Sequence, residues 1–309
     1  AFDGANAGVT MDGKVYGIPF TQEGYGFIYN AAILNKAGIN PDEITSYAKL
    51  EEAVKKLDAK KAELGLEAVF AVAGKETWVT GLHFTNAALS PEFENVFNAF
   101  NAKKIDFKYS EGMKKLFDLQ INYAKKPVNS VDYSTQVEKL FSLGKVAFMQ
   151  QGNWTLGAIK GIDEELAANI GFLPMPIVGA KEDSIPVGIP MYWTVNSTKD
   201  EKTQAAAKAF LNWMYTSEKG KDAIINKFGF IPPFKGFDSP DLQPKDALAK
   251  DIMKYASAGK TIQWVFMGYP SGWGMEKIGV DLQKYVDGKL TWDQLIENGK
   301  KSWEEARKQ

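Results

Sequence analysis

Residues 12–30 read Asp12-Gly13-Lys14-Val15-Tyr16-Gly17-Ile18-Pro19, then Phe20-Thr21-Gln22, then Glu23-Gly24-Tyr25-Gly26-Phe27-Ile28-Tyr29-Asn30. Three later segments stand behind this stretch in a fixed order. They are Phe148-Met149-Gln150-Gln151-Gly152-Asn153-Trp154, Val187-Gly188-Ile189-Pro190-Met191-Tyr192-Trp193, and residues 205–225, which hold Ala209-Phe210-Leu211 and Thr216-Ser217-Glu218-Lys219-Gly220. Helical and strand-like patterns alternate around them. Leu50, Ala53, Val54, Leu57 and Leu64 stripe one face of a helix expected over 47–64. Ala206, Phe210, Trp213 and Met214 do the same within 203–215. Trp292, Leu295, Ile296 and Trp303 stripe the last helix, opened by Thr291 with Gln294 three residues on, a capping box. Runs at 67–72, 145–150, 169–173 and 187–196 read as strands. The alternation predicts an α/β fold with crossover helices. Loops rich in Pro and Gly at 174–190 and 231–244 are the places where the chain is expected to change lobe.

Composition narrows the function. A chain of 309 residues is long enough for two α/β lobes, each with its own core. The apolar stretches at 69–73 and 170–180 are too short or too broken by proline to span a membrane. A formal charge of −1 offers no field for nucleic acid or anionic lipid. There is no cysteine, one histidine (His83) and one arginine (Arg307). Thiolate chemistry, disulfides and zinc sites built on cysteine are therefore excluded, as is a zinc site with two histidines. His83 is the sole candidate for Ser-His machinery and reads as a satisfied helix or loop histidine. Anions are gripped best by the arginine fork, which is missing from the body of the chain, although lysine can hold a phosphate as a point charge. The expected ligand is uncharged, and no cofactor is expected. Aromatics run the other way, at 13% with eight tryptophans.

The four quoted segments, taken together and in this order, resemble the family 1 extracellular solute-binding proteins, and the resemblance covers nearly the whole chain. Residues 12–30 look like the first interlobe crossing of that family. Residues 148–154 are similar to the strand that ends in a glycine and a sugar-stacking tryptophan. Residues 187–193 resemble the return crossing, and 205–225 the helix pair that follows it. The wording of 23–29 is closest to the multiple-sugar and raffinose-type members. The resemblance implies a two-lobe, periplasmic-binding-protein-like α/β fold with a hinge. It implies a neutral oligosaccharide bound in the cleft between the lobes, presentation to the permease subunits of an ABC importer, and an extracytoplasmic location. It also implies boundaries: 1–22 and 192–245 in the N-terminal lobe, 23–191 and 246–309 in the C-terminal lobe. Crossings are expected near 22–26, 190–194 and 240–250.

In the family, a segment like 12–19 follows an opening portion of the N-terminal lobe, whereas here only eleven residues precede it. The expectation is a first lobe that is partial in this chain, its opening carried elsewhere or by a second chain, with apolar surface left uncovered. Residues 1–12 carry no leader, as in mature forms of exported proteins.

The chemistry of sugar binding selects candidates independently. A pyranose presents a rim of hydroxyls and a face of C–H bonds; an aromatic ring covers the face, while carboxylates and amides pair with the hydroxyls. Trp154 follows Gly152 on a turn rather than a helical stripe and is the first stacking candidate. Trp273, between Gly272 and Gly274, is the second, since flanking glycines let another group approach closely. Trp78 and Glu76 follow the strand at 67–72 and are placed along the site wall. Glu23, followed by glycine at the first crossing, is expected to bond sugar near the hinge. Of Tyr192 and Trp193, neighbours on a strand, one points inward and the other toward the cleft. Tyr269 and Trp264 lie in an irregular aromatic stretch and remain open. Trp213, Trp292 and Trp303 fall on helical stripes and read as structural. The competing class is a glycoside hydrolase using a carboxylate pair drawn from Glu23, Glu76 and Asp12; no catalytic motif surrounds them.

Overall fold

Along Glu23–Asn30 every residue from Gly24 to Ile28 is buried, and glycine alternates with Tyr25 and Phe27. In the computed structural model, which describes residues 5–237 and 239–308, this segment is a central strand. It runs antiparallel to Phe148–Gly152, with Tyr25 opposite Gly152 and Phe27 opposite Gln150. It also runs antiparallel to Ile170–Leu173, with Phe27 opposite Leu173. Phe70–Ala71 pairs parallel to Phe148–Gly152, and Thr261–Ile262 parallel to Ile185–Gly188, completing a mixed sheet. The glycines are needed for this packing. A Cβ at Gly26 would lie 2.5 Å from the Leu173 carbonyl oxygen, and one at Gly24 would lie 2.7 Å from the Ile252 side chain.

The chain divides into two compact units, Ala1–Glu23 with Gly188–Lys250, and Gly24–Val187 with Asp251–Gln309. The larger unit holds the mixed sheet and a core running from Tyr25 and Phe27 through Phe70, Phe117 and Phe148 to Trp303. Ser46 caps the helix Tyr47–Ala59, its side chain accepting from the Lys49 amide, and Leu50, Ala53, Val54 and Leu57 face the core. That helix stops short of the expected residue 64, and Leu64 follows in a turn closed by Gly65 at φ +70°. The helix Trp292–Ala306 carries the predicted capping box: the Thr291 hydroxyl accepts from the Gln294 amide at 3.2 Å, and Gln294 Oε1 accepts from the Thr291 amide at 2.9 Å. The strand expected at 67–72 is reduced to Phe70–Ala71. The run at 187–196 is split into Ile185–Gly188 and Tyr192–Trp193. Pro190 stands between the two, with no N–H to offer a ladder.

In the smaller unit, Asp12 (φ 50°) and Gly13 (φ 73°) form a two-residue hairpin turn joining Thr10–Met11 to Lys14–Val15. Asp-Gly is the dipeptide such a turn favours, so Asp12 has a local structural role. Ile18–Pro19 pairs antiparallel with Tyr192–Trp193. The core of this unit gathers Met214, Tyr215, Ile224, Ile225 and Phe237. Of the expected stripe Ala206, Phe210, Trp213 and Met214, only Met214 is buried; the rings of Phe210 and Trp213 are 55% and 45% exposed and stack on each other at 5.9 Å. On the helix Glu201–Thr216 the buried residues are Met214 and Tyr215, about a third of a turn from Phe210 and Trp213 at 100° per residue.

Candidate functional site

Phe148–Gly152 ends at Gly152, and the chain then turns sharply through Asn153-Trp154-Thr155. Three bonds hold this turn. Asn153 Oδ1 accepts from the Gly24 amide at 3.1 Å, the Thr155 hydroxyl donates to the Gly152 carbonyl at 2.8 Å, and Trp154 Nε1 donates to Gln151 Oε1 at 3.0 Å. The Trp154 ring folds back over Gly152, where a Cβ would meet its Cζ3 at 2.1 Å. Trp154 is thus a half-buried ring on a turn whose every anchor is specified.

Trp78 reaches the same place from another segment. It precedes the π-helical turn Val79–Phe84 and donates from Nε1 to Glu76 Oε2 at 3.2 Å; Glu76 Oε1 accepts from the Tyr133 amide at 3.3 Å. The Trp78 and Trp154 rings are 6.3 Å apart, and the Tyr133 ring also stands 6.3 Å from Trp78. Glu76, Trp78, Tyr133 and Trp154 are all half-buried.

Beneath these rings sits His83, 8% exposed. Its imidazole stacks on Tyr25 at 4.3 Å, meets Trp78 edge-on at 5.2 Å and Trp154 at 5.3 Å, and has Phe266 and Trp264 at 5.3 and 5.9 Å. Burial among rings pushes it down to about 3, so it is neutral at ordinary pH. The expectation of a satisfied structural histidine is refined here: His83 is the hub on which the aromatic cluster rests.

The structure therefore brings Trp154, Trp78 and Glu76 together in the larger unit, and it removes two other candidates. Trp273 is 1% exposed, its ring enclosed by Phe107, Tyr269 and Trp303, and its Nε1 donates to the Gly299 carbonyl at 3.0 Å and to the Ser302 hydroxyl at 3.1 Å. The flanking glycines do admit a close neighbour, but that neighbour is the protein's own chain. A Cβ at Gly274 would meet Leu82 at 2.1 Å, and one at Gly81 would meet the Gly274 carbonyl oxygen at 1.9 Å. Tyr269 is likewise buried, edge-on to Trp273 and Trp303, within 3.3 Å of the Thr85 hydroxyl. Both are core residues with no face free for a ligand.

The remaining candidates lie in the smaller unit. Glu23 opens the central strand, half-buried, and among the described residues its carboxylate has no hydrogen bond or ion pair; burial pushes it up to about 7. Trp193 packs edge-on against Phe20 at 5.0 Å and donates from Nε1 to the Tyr215 hydroxyl at 2.9 Å, joining that unit's core. Tyr192 takes the other side of its strand, over Gly8.

Three residues of the cluster that the sequence did not single out are Tyr133, Gln150 and Gln151. Gln150 and Gln151 are buried amides in an otherwise apolar strand. Such groups must be satisfied, and that was the available signal. Gln150 Nε2 donates to the Val79 carbonyl at 2.9 Å, next to Trp78, while Gln151 accepts from Trp154.

The model of the family described as bacterial extracellular solute-binding protein matches residues 1–255. The melibiose/raffinose/stachyose-binding protein MelE of Bacillus subtilis (strain 168) is 28% identical over 218 residues, a match covering 65% of this chain and 47% of MelE, so the chain spans about half the length of that relative. Among solved structures, a chitin oligosaccharide binding protein superposes with a TM-score of 0.77 at 22% identity, covering 97% of this chain and 73% of that one. RafE from Streptococcus pneumoniae in its apo form gives 0.76 at 18% identity, covering 99% and 76%. At these identities the structural likeness establishes the fold.

Proposed function

This chain belongs to the bacterial extracellular solute-binding proteins, and we propose that it binds a neutral oligosaccharide through the ring cluster of its larger unit and presents it to the permease of an ABC importer. One observation carries the reading. Trp78 and Trp154 keep half-exposed rings 6.3 Å apart while each indole N–H is engaged by a side chain of its own segment, Glu76 or Gln151. Rings fixed in this way offer flat apolar faces to the C–H side of a sugar at little cost in side-chain entropy. The Glu76 carboxylate, at the rim of the pair, retains lone pairs to accept from sugar hydroxyls. The sugars named for the relatives, melibiose, raffinose and stachyose in MelE, support a raffinose-type ligand. No step of catalysis is assigned: both oxygens of Glu76 serve to hold the cluster, one accepting from Trp78 and the other from the Tyr133 amide. The working location is outside the cytoplasm, as the family's description has it. Among the described residues no helix is long and apolar enough to cross a membrane.

The test is an intrinsic-fluorescence titration with melibiose, raffinose, stachyose and chitin oligosaccharides, each then recovered and checked for hydrolysis. The reading expects a saturable change in tryptophan emission with at least one of them and intact sugar afterwards. No response to any, or product release, contradicts it.

A further inference from the structure

Trp154 heads a relay that runs through two buried amides. Its Nε1 donates to Gln151 Oε1 at 3.0 Å, Gln151 Nε2 donates to Gln136 Oε1 at 2.8 Å, and Gln136 Nε2 donates to the Ala71 carbonyl at 2.8 Å. Gln136 is fully buried and Gln151 is 1% exposed. An indole N–H can only donate and a backbone carbonyl can only accept. The two ends therefore fix the orientation of both amides between them, and only one arrangement satisfies every group. Turning either amide over would set two donors or two acceptors face to face at buried side chains, where an unmet polar group is costly.

Resting on the oligosaccharide reading above, we propose that Gln136 is a positioning residue: acting through Gln151, it sets the plane in which Trp154 offers its ring to the sugar. Gln136 lies on the π-helical segment Thr135–Phe141 and Ala71 on the strand Phe70–Ala71. The relay thus ties the ring to two further elements of the sheet unit. Local turn geometry places the Trp154 backbone; the relay selects the ring's rotation.

Hydrogen exchange at the Trp154 indole N–H, assigned by its loss in Trp154→Phe, tests this without any ligand. Gln136→Leu is expected to speed exchange there tenfold or more while the other indoles keep their rates. Should Gln136→Leu fail to fold, Gln136→Glu serves instead. A protonated carboxyl can still donate to the Ala71 carbonyl and accept from Gln151, so exchange at Trp154 is taken as a ratio to the parent at the same pH. That ratio is expected to be near one at acid pH and to rise with pH, while the ratios at the other indoles stay near one. Unchanged exchange at Trp154, or an equal rise at every indole, overturns the proposal. A second arm uses raffinose as the probe. Gln136→Leu is expected to weaken binding about fivefold or more in the parent and to add nothing in a Trp154→Phe background; equal losses in both overturn the positioning role. If the parent does not bind raffinose, or Trp154→Ala leaves its affinity unchanged, the fault lies in the oligosaccharide reading, and exchange alone judges the relay.

Discussion

The six-membered ring of Trp154 occupies the space that a side chain at residue 152 would need: a Cβ there would come within 2.1 to 2.6 Å of three of its carbons. Gly152 has φ −119° and ψ −178°, backbone that any residue adopts. The glycine is required by the tryptophan's ring and by nothing in the chain's own path.

Gly152→Ala should therefore leave the strand intact and push the Trp154 ring aside. Affinity for the bound sugar is expected to fall about tenfold or more, roughly 1.4 kcal/mol. Calorimetric titration beside a thermal melt checks this. An unchanged affinity would show that the ring's position over residue 152 has no bearing on binding.

Trp273 and Trp292 are both core rings, but their N–H groups differ. Trp273 donates to Gly299 and Ser302, whereas Trp292 Nε1 is buried with no hydrogen-bond partner among the described residues. Truncating either to alanine should cost about 3–5 kcal/mol through the cavity it opens. The Trp273 variant is expected at the upper end, since it also strips its acceptors of their donor. Urea unfolding at pH 7 gives both values, and a Trp273→Ala protein as stable as the parent would contradict its placement in the core.

His83 makes the fold sensitive to acid. Its folded value of about 3 lies below the 6.5 of an unperturbed histidine, so the unfolded chain takes up a proton that the folded chain refuses. The stability involved is whole above pH 6.5 and drains away as pH falls toward 3, at up to about 1.4 kcal/mol per pH unit. In His83→Phe, which keeps a ring on Tyr25, the loss between pH 7 and 4 should be visibly smaller than in the parent. Parallel losses would mean that His83 titrates normally.

Glu23 works in the opposite sense. Burial raises its carboxyl from 4.5 to about 7, so the folded protein holds a proton that the unfolded chain has released. Its contribution favours the folded state below pH 4.5 and declines as pH rises through 7. Glu23→Gln should flatten that decline in unfolding experiments from pH 5 to 8, and an unchanged slope would contradict the burial of its charge.

Much of this was legible in the sequence, and the failures have physical causes. The helix at 292–306 could be read in full, because its cap and apolar stripe are local. Trp154 stood out because it follows a glycine on a turn rather than a stripe, and Trp78 because it follows a strand; the structure brings their rings within 6.3 Å of each other. Trp273 was misplaced because glycines that admit a ligand and glycines that admit a neighbouring helix look the same in one dimension. Here the neighbour is Leu82, nearly two hundred residues away in the chain. Phe210 and Trp213 follow a sound helical period, yet the period does not say which arc finds a partner. The glutamine relay spans three segments, and only Gln151, polar beside Gln150 in an apolar strand, hinted at it.

The most direct test is the affinity of Trp154→Ala for the sugar the parent binds, measured by calorimetry with its melting temperature taken beside it. Binding is expected to weaken by about 1.5–3 kcal/mol, the worth of burying one large apolar side chain, with the fold retained. A Trp154→Ala protein that binds as tightly as the parent, or one that no longer folds, would contradict this expectation.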